Sequence, residues 1–310
     1  MGNTPRTATS SAAVFCLTAV LLTALCGCAR RPPPQATLVC VGDVMLGRGV
    51  GDLCLEKGNA YPFERYAKRL AGADIAFCNL EAVLSDQPMT YPRVNPLRAR
   101  PEMADALAAA GFDVVSLANN HVVDCGRPGL RQTMELLDAV GIAYTGAGRT
   151  LAEAEQRAIV EANGLRFGFL AFSDFAEVNF VHAPEREAIL ILSEETLRRT
   201  VPPLRDRCDV LVVSCHWGSE FVVPTTTRQR DLAHLAVDLG ADILVGHHAH
   251  VRGEVEHYGD GSICYCLGDF IFDIFADTPG EGSLLEWRCT PGACELTRQV
   301  ETHVADLWEG

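Results

Sequence analysis

Short apolar runs alternate along this chain with longer segments whose apolar residues recur at helical spacing. Glycine follows several of the helical segments, as expected where a helix ends in a left-handed residue. This alternation predicts β-sheets covered by helices, with right-handed crossovers. The predicted strands are residues 37–45, 74–80, 113–117, 165–173, 209–215, 242–245 and 262–267, and the predicted helices include residues 63–71, 101–110, 129–140 and 228–239.

The end of the chain has a different pattern. Residues 261–310 are rich in strand-like segments and have no long helical one, which predicts a second, more antiparallel sheet. The length of 310 residues fits one large α/β domain or two small ones.

The charge balance excludes two classes of function. The chain has 26 Lys and Arg against 40 Asp and Glu, a formal net charge of −14. Nucleic acids and anionic lipid surfaces are bound through clustered basic residues. We therefore expect no nucleic-acid partner and no electrostatic binding to a membrane surface.

The first residues have the pattern of an export signal. Residues 12–25 contain no charge, proline or glycine, and Arg6 is the only charged residue before them. This run suits a signal peptide but is short for a transmembrane helix, which needs about 20 residues. It ends in Leu-Cys-Gly-Cys at residues 25–28, which resembles the lipobox of bacterial lipoproteins, where cleavage precedes a lipidated cysteine.

The organisation predicted on this basis has three parts. Residues 1–27 form a signal peptide, residues 28–36 a proline-rich tether lipidated at Cys28, and residues 37–310 one folded domain. The predicted location is extracytoplasmic, with the protein anchored to the membrane of a bacterial envelope. An ordinary signal peptide cut near Ala29, or an uncleaved anchor, remain as alternatives.

The cysteines fit export only loosely. Cys40, Cys78 and Cys215 occur singly in apolar strand patterns, which is typical of buried, inert thiols. Cys289 and Cys294 flank a Pro-Gly turn and are the best candidates for a disulfide. The sequence has no pair of cysteines with zinc-finger spacing.

Polar residues interrupt the apolar pattern where strands end. Because ligands of α/β folds gather at the carboxyl ends of strands, we expect these side chains to converge. Imidazole, carboxylate and amide oxygen together suit Zn, Mn or Fe better than Ca or Mg. The residues concerned are Asp43, Asn79, Glu81, Asn119, Asn120, His121, His216, His247, His248 and His250.

The order of these motifs resembles the CapA family of bacterial poly-γ-glutamate capsule synthesis proteins, itself similar to the calcineurin-like metallophosphatases. The resemblance runs from about residue 38 to residue 273 and implies a four-layer α/β sandwich of two mixed sheets flanked by helices. Its motifs are residues 42–48, 79–81, 117–126, 216–220, 240–251 and 267–273, with Pro224 and Gln229.

The resemblance also implies roles for the polar residues, with one or two ions of Mn, Zn or Fe. Glu81 lies where metallophosphatases place a bridging aspartate, and His121 matches the histidine that protonates a leaving oxygen. Which of His247, His248 and His250 binds metal stays open at this point. The implied metal ligands are Asp43, Glu81, Asn120, His216, His248 and His250, with Asp43 and His121 as the catalytic pair.

Two positions depart from the resemblance. Metallophosphatases carry Asp-x-His in the first motif, whereas here Asp43 is followed by Val44 and Met45, so one ligand is missing. The family's Leu-Gly-Asn-Phe reads Leu-Gly-Asp-Phe, which places Asp269 in that loop. Asp269 either keeps a turn hydrogen bond or adds a charge that alters the choice of metal.

Several arginines near the motifs suggest an anionic substrate. Arg48 follows the first motif, and Arg93, Arg98 and Arg100 lie in a loop before a predicted helix. Guanidinium groups form bidentate hydrogen bonds with carboxylates and phosphates. Ordinary surface ion pairs would account for these arginines equally well. We assign Arg48, Arg98 and Asn119 to substrate binding.

The sequence therefore predicts an envelope lipoprotein that acts in poly-γ-glutamate capsule synthesis or export. Its chemistry would be metal-dependent hydrolysis of a phosphoester or of an amide in the polymer. The alternative is a non-catalytic module that binds or exports the polymer and keeps only the fold. The expected partners are an anionic polymer or phosphoester, the membrane through a lipid anchor, and other capsule-synthesis proteins.

Overall fold

The apolar runs of the sequence form the inner strands of two β-sheets, and most of these strands are buried along their whole length. Continuous burial is typical of strands with helices on one face and another layer on the other. The structure, a computed structural model, describes residues 1–2, 33–90, 96–155, 158–175, 186–273 and 280–308. The strands are β1 (Ala36–Val44), β2 (Ile75–Leu80), β3 (Val83–Leu84), β4 (Arg98–Ala99), β5 (Val114–Ser116), β6 (Ala143–Thr145), β7 (Ala147–Gly148), β8 (Ala158–Ala162), β9 (Leu165–Ser173), β10 (Ala188–Ile189), β11 (Val210–His216), β12 (Ile243–His247), β13 (Val255–Tyr258), β14 (Gly261–Cys264), β15 (Asp269–Ile271), β16 (Glu281–Thr290) and β17 (Ala293–His303).

The helices follow from local capping signals. Thr226 and Gln229 form a capping box at the start of one long helix, and Gly111 and Gly141 end two others in the left-handed conformation. The helix predicted at residues 63–71 divides into the 3₁₀ helix Tyr61–Phe63 and a short α-helix. The α-helices are α1 (Arg48–Lys57), α2 (Ala67–Leu70), α3 (Met103–Ala110), α4 (Gly126–Val140), α5 (Leu151–Ala154), α6 (Glu194–Arg205) and α7 (Thr227–Asp238).

Both large sheets are mixed. The first has the order β17-β16-β1-β2-β5-β6, with β15 also paired to β1, and the second has the order β13-β14-β12-β11-β9-β8. The inner neighbours are parallel, and antiparallel strands lie toward the edges. Parallel strands direct their carboxyl ends to the same edge, so each sheet collects the residues that follow its strands at one place.

The C-terminal strands do not build a sheet of their own, so that prediction was wrong. Strand β16 pairs antiparallel with β1, and β17 pairs with β16, which extends the first sheet. Strand β14, from the same region of the chain, joins the second sheet beside β12. The pairing depends on contacts with strands far away in sequence, which a local strand pattern does not encode.

The core has three apolar layers, which confirms the predicted four-layer sandwich. Residues of both sheets meet in the central layer, where the rings of Phe77 and Phe169 stack at 5.6 Å. Helices α1, α3 and α4 cover the outer face of the first sheet, and α6 and α7 cover that of the second. Sheets packed face to face align the edges at which their strands end.

Two motif glycines let the chain pass closely over the strand ends. A Cβ atom on Gly42 of β1 would lie 2.0 Å from the carbonyl oxygen of Gly268, and one on Gly246 of β12 would lie 1.9 Å from that of Tyr265. Side chains at these positions would push residues 265–268 away from the sheets. The two glycines therefore hold that loop against the edge where the polar residues gather.

No helix within the described ranges is long and apolar enough to cross a membrane. Residues 3–27 of the predicted signal peptide and the lipidation site at Cys28 lie outside those ranges.

The structure contains the predicted disulfide. Cys289 and Cys294 are bonded across β16 and β17, where they are paired neighbours on either side of the Pro-Gly turn. The bond therefore closes the tip of the hairpin that extends the first sheet.

Replacing Cys294 by serine should reduce the free energy of unfolding by about 2 kcal/mol, because the short loop is then no longer closed in the unfolded chain. Urea denaturation of oxidised wild type and variant measures the difference. In the presence of a reductant the two proteins should have the same stability. A loss of equal size under both conditions would show that the serine itself, not the bond, is responsible.

Candidate metal centre

The polar residues predicted to converge meet where strands of both sheets end. Asp43 lies at the end of β1 and Asn79 at the end of β2, with Glu81 directly after it. His216 ends β11 and His247 ends β12, facing them from the second sheet. All of these side chains are almost completely buried, and so are those of His248 and His250 in the loop after β12.

Asp43 contacts residues that follow strands of both sheets. Its Oδ1 accepts a hydrogen bond from the Asn79 amide at 2.9 Å and lies 2.8 Å from Nδ1 of His247. Its Oδ2 accepts the backbone N–H of His248 at 3.1 Å. Burial alone would raise the pKa of Asp43, but the hydrogen bond from His247 and the neighbouring imidazoles lower it below its usual value. The group is therefore a carboxylate at neutral pH.

His216 joins the two sheets through its ring nitrogens. Its Nε2 lies 2.9 Å from Oδ1 of Asn120 and 3.1 Å from Nδ1 of His248, while its Nδ1 faces the Asn79 amide at 3.3 Å. Burial, and then the charge of His248, lower the pKa of His216. Burial, and then the charge of His250, lower the pKa of His248 to about 4. Both rings are thus neutral and keep a lone pair for a metal.

Glu81 is fully buried, and within the described part of the chain neither carboxylate oxygen has a hydrogen-bond partner. Its Oε1 lies 3.8 Å from Nε2 of His216 and 4.0 Å from Nε2 of His250. Burial, followed by the charge of Asp43, raises its pKa well above the usual value. A buried carboxyl group without partners is costly unless a cation binds beside it.

The backbone after β12 is strained at two of the histidines. His248 has φ of 91° and His250 has φ of 53°, a region that side chains other than glycine seldom adopt. Each such residue costs about 1–3 kcal/mol and persists where the surrounding structure enforces it. Here the strain turns both imidazoles toward Glu81.

Asp269, one of the two departures from the family pattern, contacts His250. Its Oδ1 lies 2.7 Å from Nδ1 of His250, so the carboxylate orients that ring with Nε2 toward Glu81. Burial would lower the pKa of His250, but the charges of Asp269, Glu81 and Asp43 raise it to about 10. Burial raises the pKa of Asp269 to about 6, although the charge of His250 and its hydrogen bond act to lower that pKa.

These donors fit one or two divalent transition metals. Possible ligand atoms of Glu81, His216 and His248 lie within 4.8 Å of one another, and so do those of Asp43, Glu81 and His250. The two triplets share Glu81, which makes it the candidate bridging carboxylate. A cation there would also balance the buried negative charge and provide the partner that Glu81 lacks.

His121 lies beside this cluster and is partly accessible to solvent. Its Nδ1 is 2.9 Å from Oδ2 of Asp124, and its backbone N–H donates to Oδ1 of Asn119 at 3.1 Å. The same Asp124 oxygen accepts the backbone N–H of Leu97 at 2.8 Å. Asp124 thus orients the His121 ring with Nε2 as the nitrogen left for other contacts.

The side chains of the three residues predicted to bind substrate are engaged in contacts within the protein. Asn119 is buried and uses both ends of its amide inside the protein, donating to Asn79 and Leu80 and accepting from the 121–122 backbone. Arg48 pairs with Asp273, and Arg98 is exposed and donates to the Gln87 carbonyl. Asn119 therefore positions the loop that carries Asn120 and His121. Arg93 lies outside the described residues, and Arg100 donates to Asn59.

The sequence placed Asn79 among the converging residues without a role of its own, and it did not single out Asp124, which stands within a motif. It gave no sign of two phenylalanines beside the histidines. The ring of Phe175 lies 4.1 Å from that of His248, and the ring of Phe221 lies 5.8 Å from that of His250.

The sandwich, with this cluster at the edge where its strands end, defines the chain as metallophosphatase-like in fold. A solved hypothetical protein from Thermus thermophilus has a similar fold, with a TM-score of 0.52 and 16% identity over 86% of this chain and 99% of that one.

The chain belongs to the family of the bacterial capsule synthesis protein PGA_cap, whose model matches residues 37–274. It is 33% identical to the capsule biosynthesis protein CapA of Bacillus anthracis over 78% of this chain and 61% of that one. It is 31% identical to the PGA biosynthesis protein CapA of Bacillus subtilis over 75% and 62%. The chain thus spans about three fifths of the length of these relatives.

Replacing His216 or His248 by alanine should remove bound metal and lower the Tm in metal-containing buffer, because metal binds only the folded state. At a metal concentration of a hundred times Kd the stabilisation lost is about 2.7 kcal/mol. Metal content is measured by atomic emission and Tm by scanning calorimetry. His257→Ala, on the exposed face of β13, is the matched control and should change neither quantity. Wild-type protein without stoichiometric metal would reject the site.

Proposed function

We propose that this protein is a metal-dependent phosphoester hydrolase of the bacterial cell envelope that acts in poly-γ-glutamate capsule synthesis or export. The observation that carries the proposal is the position of Glu81, buried without hydrogen-bond partners among the described residues and shared by two ligand triplets. Membership of the PGA_cap family supports the capsule role.

In this proposal each residue has a defined task. Asp43, Glu81, His216, His248 and His250 would hold the metal, with Asn120 as a further oxygen donor beside His216. A bound divalent cation supplies positive charge that polarises the phosphoryl group and makes water a stronger nucleophile.

The proton balance of the reaction falls to His121. Water attacks phosphorus and loses a proton to the solvent, the bond from phosphorus to the ester oxygen breaks, and His121 donates a proton to the departing oxygen and regains one from the solvent. Asp124 holds the ring in the orientation that this step requires, through the 2.9 Å contact with Nδ1. The surrounding buried groups limit the access of bulk water. An amide bond in the polymer could be hydrolysed by the same residues.

A second candidate function is a polymer-binding module without catalysis. It is favoured by the first motif, where Met45 stands at the position of the histidine of Asp-x-His and its side chain is fully buried. The site then has one ligand fewer than a metallophosphatase. Preservation of His121 with an orienting carboxylate favours the hydrolase, since a binder needs no proton donor.

For the location, we propose an extracytoplasmic lipoprotein whose membrane contact is a lipid on Cys28. The support is the sequence of residues 12–28, and the disulfide in β16–β17 agrees with an oxidising compartment. Other capsule-synthesis proteins and the anionic polymer are the proposed partners.

His121→Ala should keep its metal and its Tm but lose on the order of a hundredfold in kcat, as is typical when a general acid is removed. Phenyl phosphate, whose leaving group needs a proton, should be affected strongly, and p-nitrophenyl phosphate, with a better leaving group, much less. Steady-state kinetics with Mn²⁺ on both esters measure this contrast. An equal loss on the two esters would contradict the role of His121, and absence of any hydrolysis of phosphoesters or poly-γ-glutamate by the wild type would favour the binding module.

Cys28→Ala should abolish incorporation of labelled palmitate and leave the signal segment uncleaved, because the thiol is the site of lipid attachment. Metabolic labelling followed by mass measurement of the isolated protein tests this, with Cys26→Ala as the matched control. Unchanged labelling of the Cys28 variant would exclude the lipid anchor.

A further inference from the structure

Three phenylalanine rings surround the histidines of the metal centre. The ring of Phe175 is half-buried, and its centroid lies 4.1 Å from that of the His248 ring. The ring centroids of Phe221 and Phe272 lie 5.8 Å and 4.9 Å from that of His250, and Phe272 is buried. We use the name aromatic rim for the surface that these two partly exposed rings, Phe175 and Phe221, form together with Val222 and Val223.

The rim costs stability, which indicates that it has another purpose. Phe221 is 44% exposed and has φ of 61°, a conformation that suits glycine or asparagine far better than an aromatic residue. Its backbone N–H donates to the carbonyl of Ala249 at 2.8 Å, which fixes it against the histidine loop. Val222 and Val223 follow with exposures of 49% and 62%. Strained backbone and consecutive exposed apolar residues are typical of binding surfaces.

Two arginines near the metal centre, within the described part of the chain, are paired with aspartates. Arg48, whose guanidinium lies 5.8 Å from the ring of Phe272, is bonded through Nε to Asp273 at 3.0 Å. Arg228 is bonded to Asp174, the residue before Phe175, at 2.8 Å. These ion pairs cancel the positive charge that an acidic polymer would require. The surface next to the centre is therefore suited to an apolar group.

We propose that the aromatic rim binds the organic group of the substrate, and that this substrate is a phosphoester whose ester group is apolar, either an aromatic ring or an alkyl chain. The inference rests on the proposed hydrolase function and narrows its substrate class. With phosphorus held between the ligand triplets, the ester group lies against the rings of Phe175 and Phe221. An apolar contact of this size accounts for about a tenfold gain in affinity.

Calorimetric titration of the Mn²⁺-loaded protein with three phosphonates tests the proposal without turnover. Methylphosphonate reports the phosphoryl site alone, whereas phenylphosphonate and hexylphosphonate add a ring or a chain. The wild type should bind at least one of the two larger ligands about ten times more tightly than methylphosphonate. The tighter of the two shows whether the ester group is an aromatic ring or an alkyl chain. Phe221→Asn, which suits the left-handed backbone, should reduce this preference to less than about threefold, leave the methylphosphonate Kd unchanged and give a Tm no lower than that of the wild type.

Leu55→Ala, which removes a 67% exposed apolar side chain from α1, is the control and should keep the full preference. Equal binding of all three phosphonates by the wild type would overturn the role of the rim and leave the hydrolase proposal standing. A preference that persists in both Phe221→Asn and Phe175→Ala would overturn it as well. Failure of every phosphonate to bind would instead reject the phosphoester site itself, and the substrate class with it.

Discussion

The carboxylate of Asp43 is the contact on which the arrangement of the centre depends. It stands at the end of a strand of the first sheet, yet it contacts His247 at the end of a strand of the second sheet and the backbone of His248 beyond it. One buried charge thus holds the two sheets in register at the edge where their strands end. Gly42, directly before it, gives the loop that contains Gly268 the space to cover this contact. Parallel strands bring the groups to one edge, and Asp43 fixes the distance between the two sets.

A centre built in this way is electrostatically incomplete without a cation. Asp43 is a carboxylate, and Asp269, with a pKa of about 6, is mostly ionised at neutral pH. Burial raises the pKa of Glu81 well above its usual value and lowers the pKa values of His216 and His248, which are neutral. Protonation of His250 compensates only part of this charge. Removing charged groups from water costs several kcal/mol each unless compensating charge lies beside them. The strain at His248 and His250 adds to that cost. The fold therefore spends stability at this edge, as expected where a site is organised before its ligand arrives.

Much of this could be predicted from the sequence, for reasons that differ between elements. The inner strands are continuous apolar runs, and the ligands follow them directly, so their convergence required only the rule about strand ends. Helix α6 is not among the helices named from the sequence, and it contains Pro202 and Pro203, residues that normally argue against a helix. The pairing of Arg48 with Asp273 joins residues 225 positions apart, which no local pattern reports. Phe175 and Phe221 look like core residues in the sequence, and only their position beside the histidines gives them another meaning.

The thiols of the sandwich have a consequence for how long a molecule survives. Apart from the bonded pair, the described residues include eight cysteines, all buried, among them Cys40, Cys78, Cys264 and Cys266 around the interior of the two sheets. Burial raises the pKa of each of these four thiols, which lowers their reactivity toward oxidants in the folded protein. In the oxidising envelope that we propose as its location, that protection ends when the sheets separate, because every exposed thiol can then form an incorrect crosslink. Durability there is set by the rate of opening and not by the equilibrium between folded and unfolded chains.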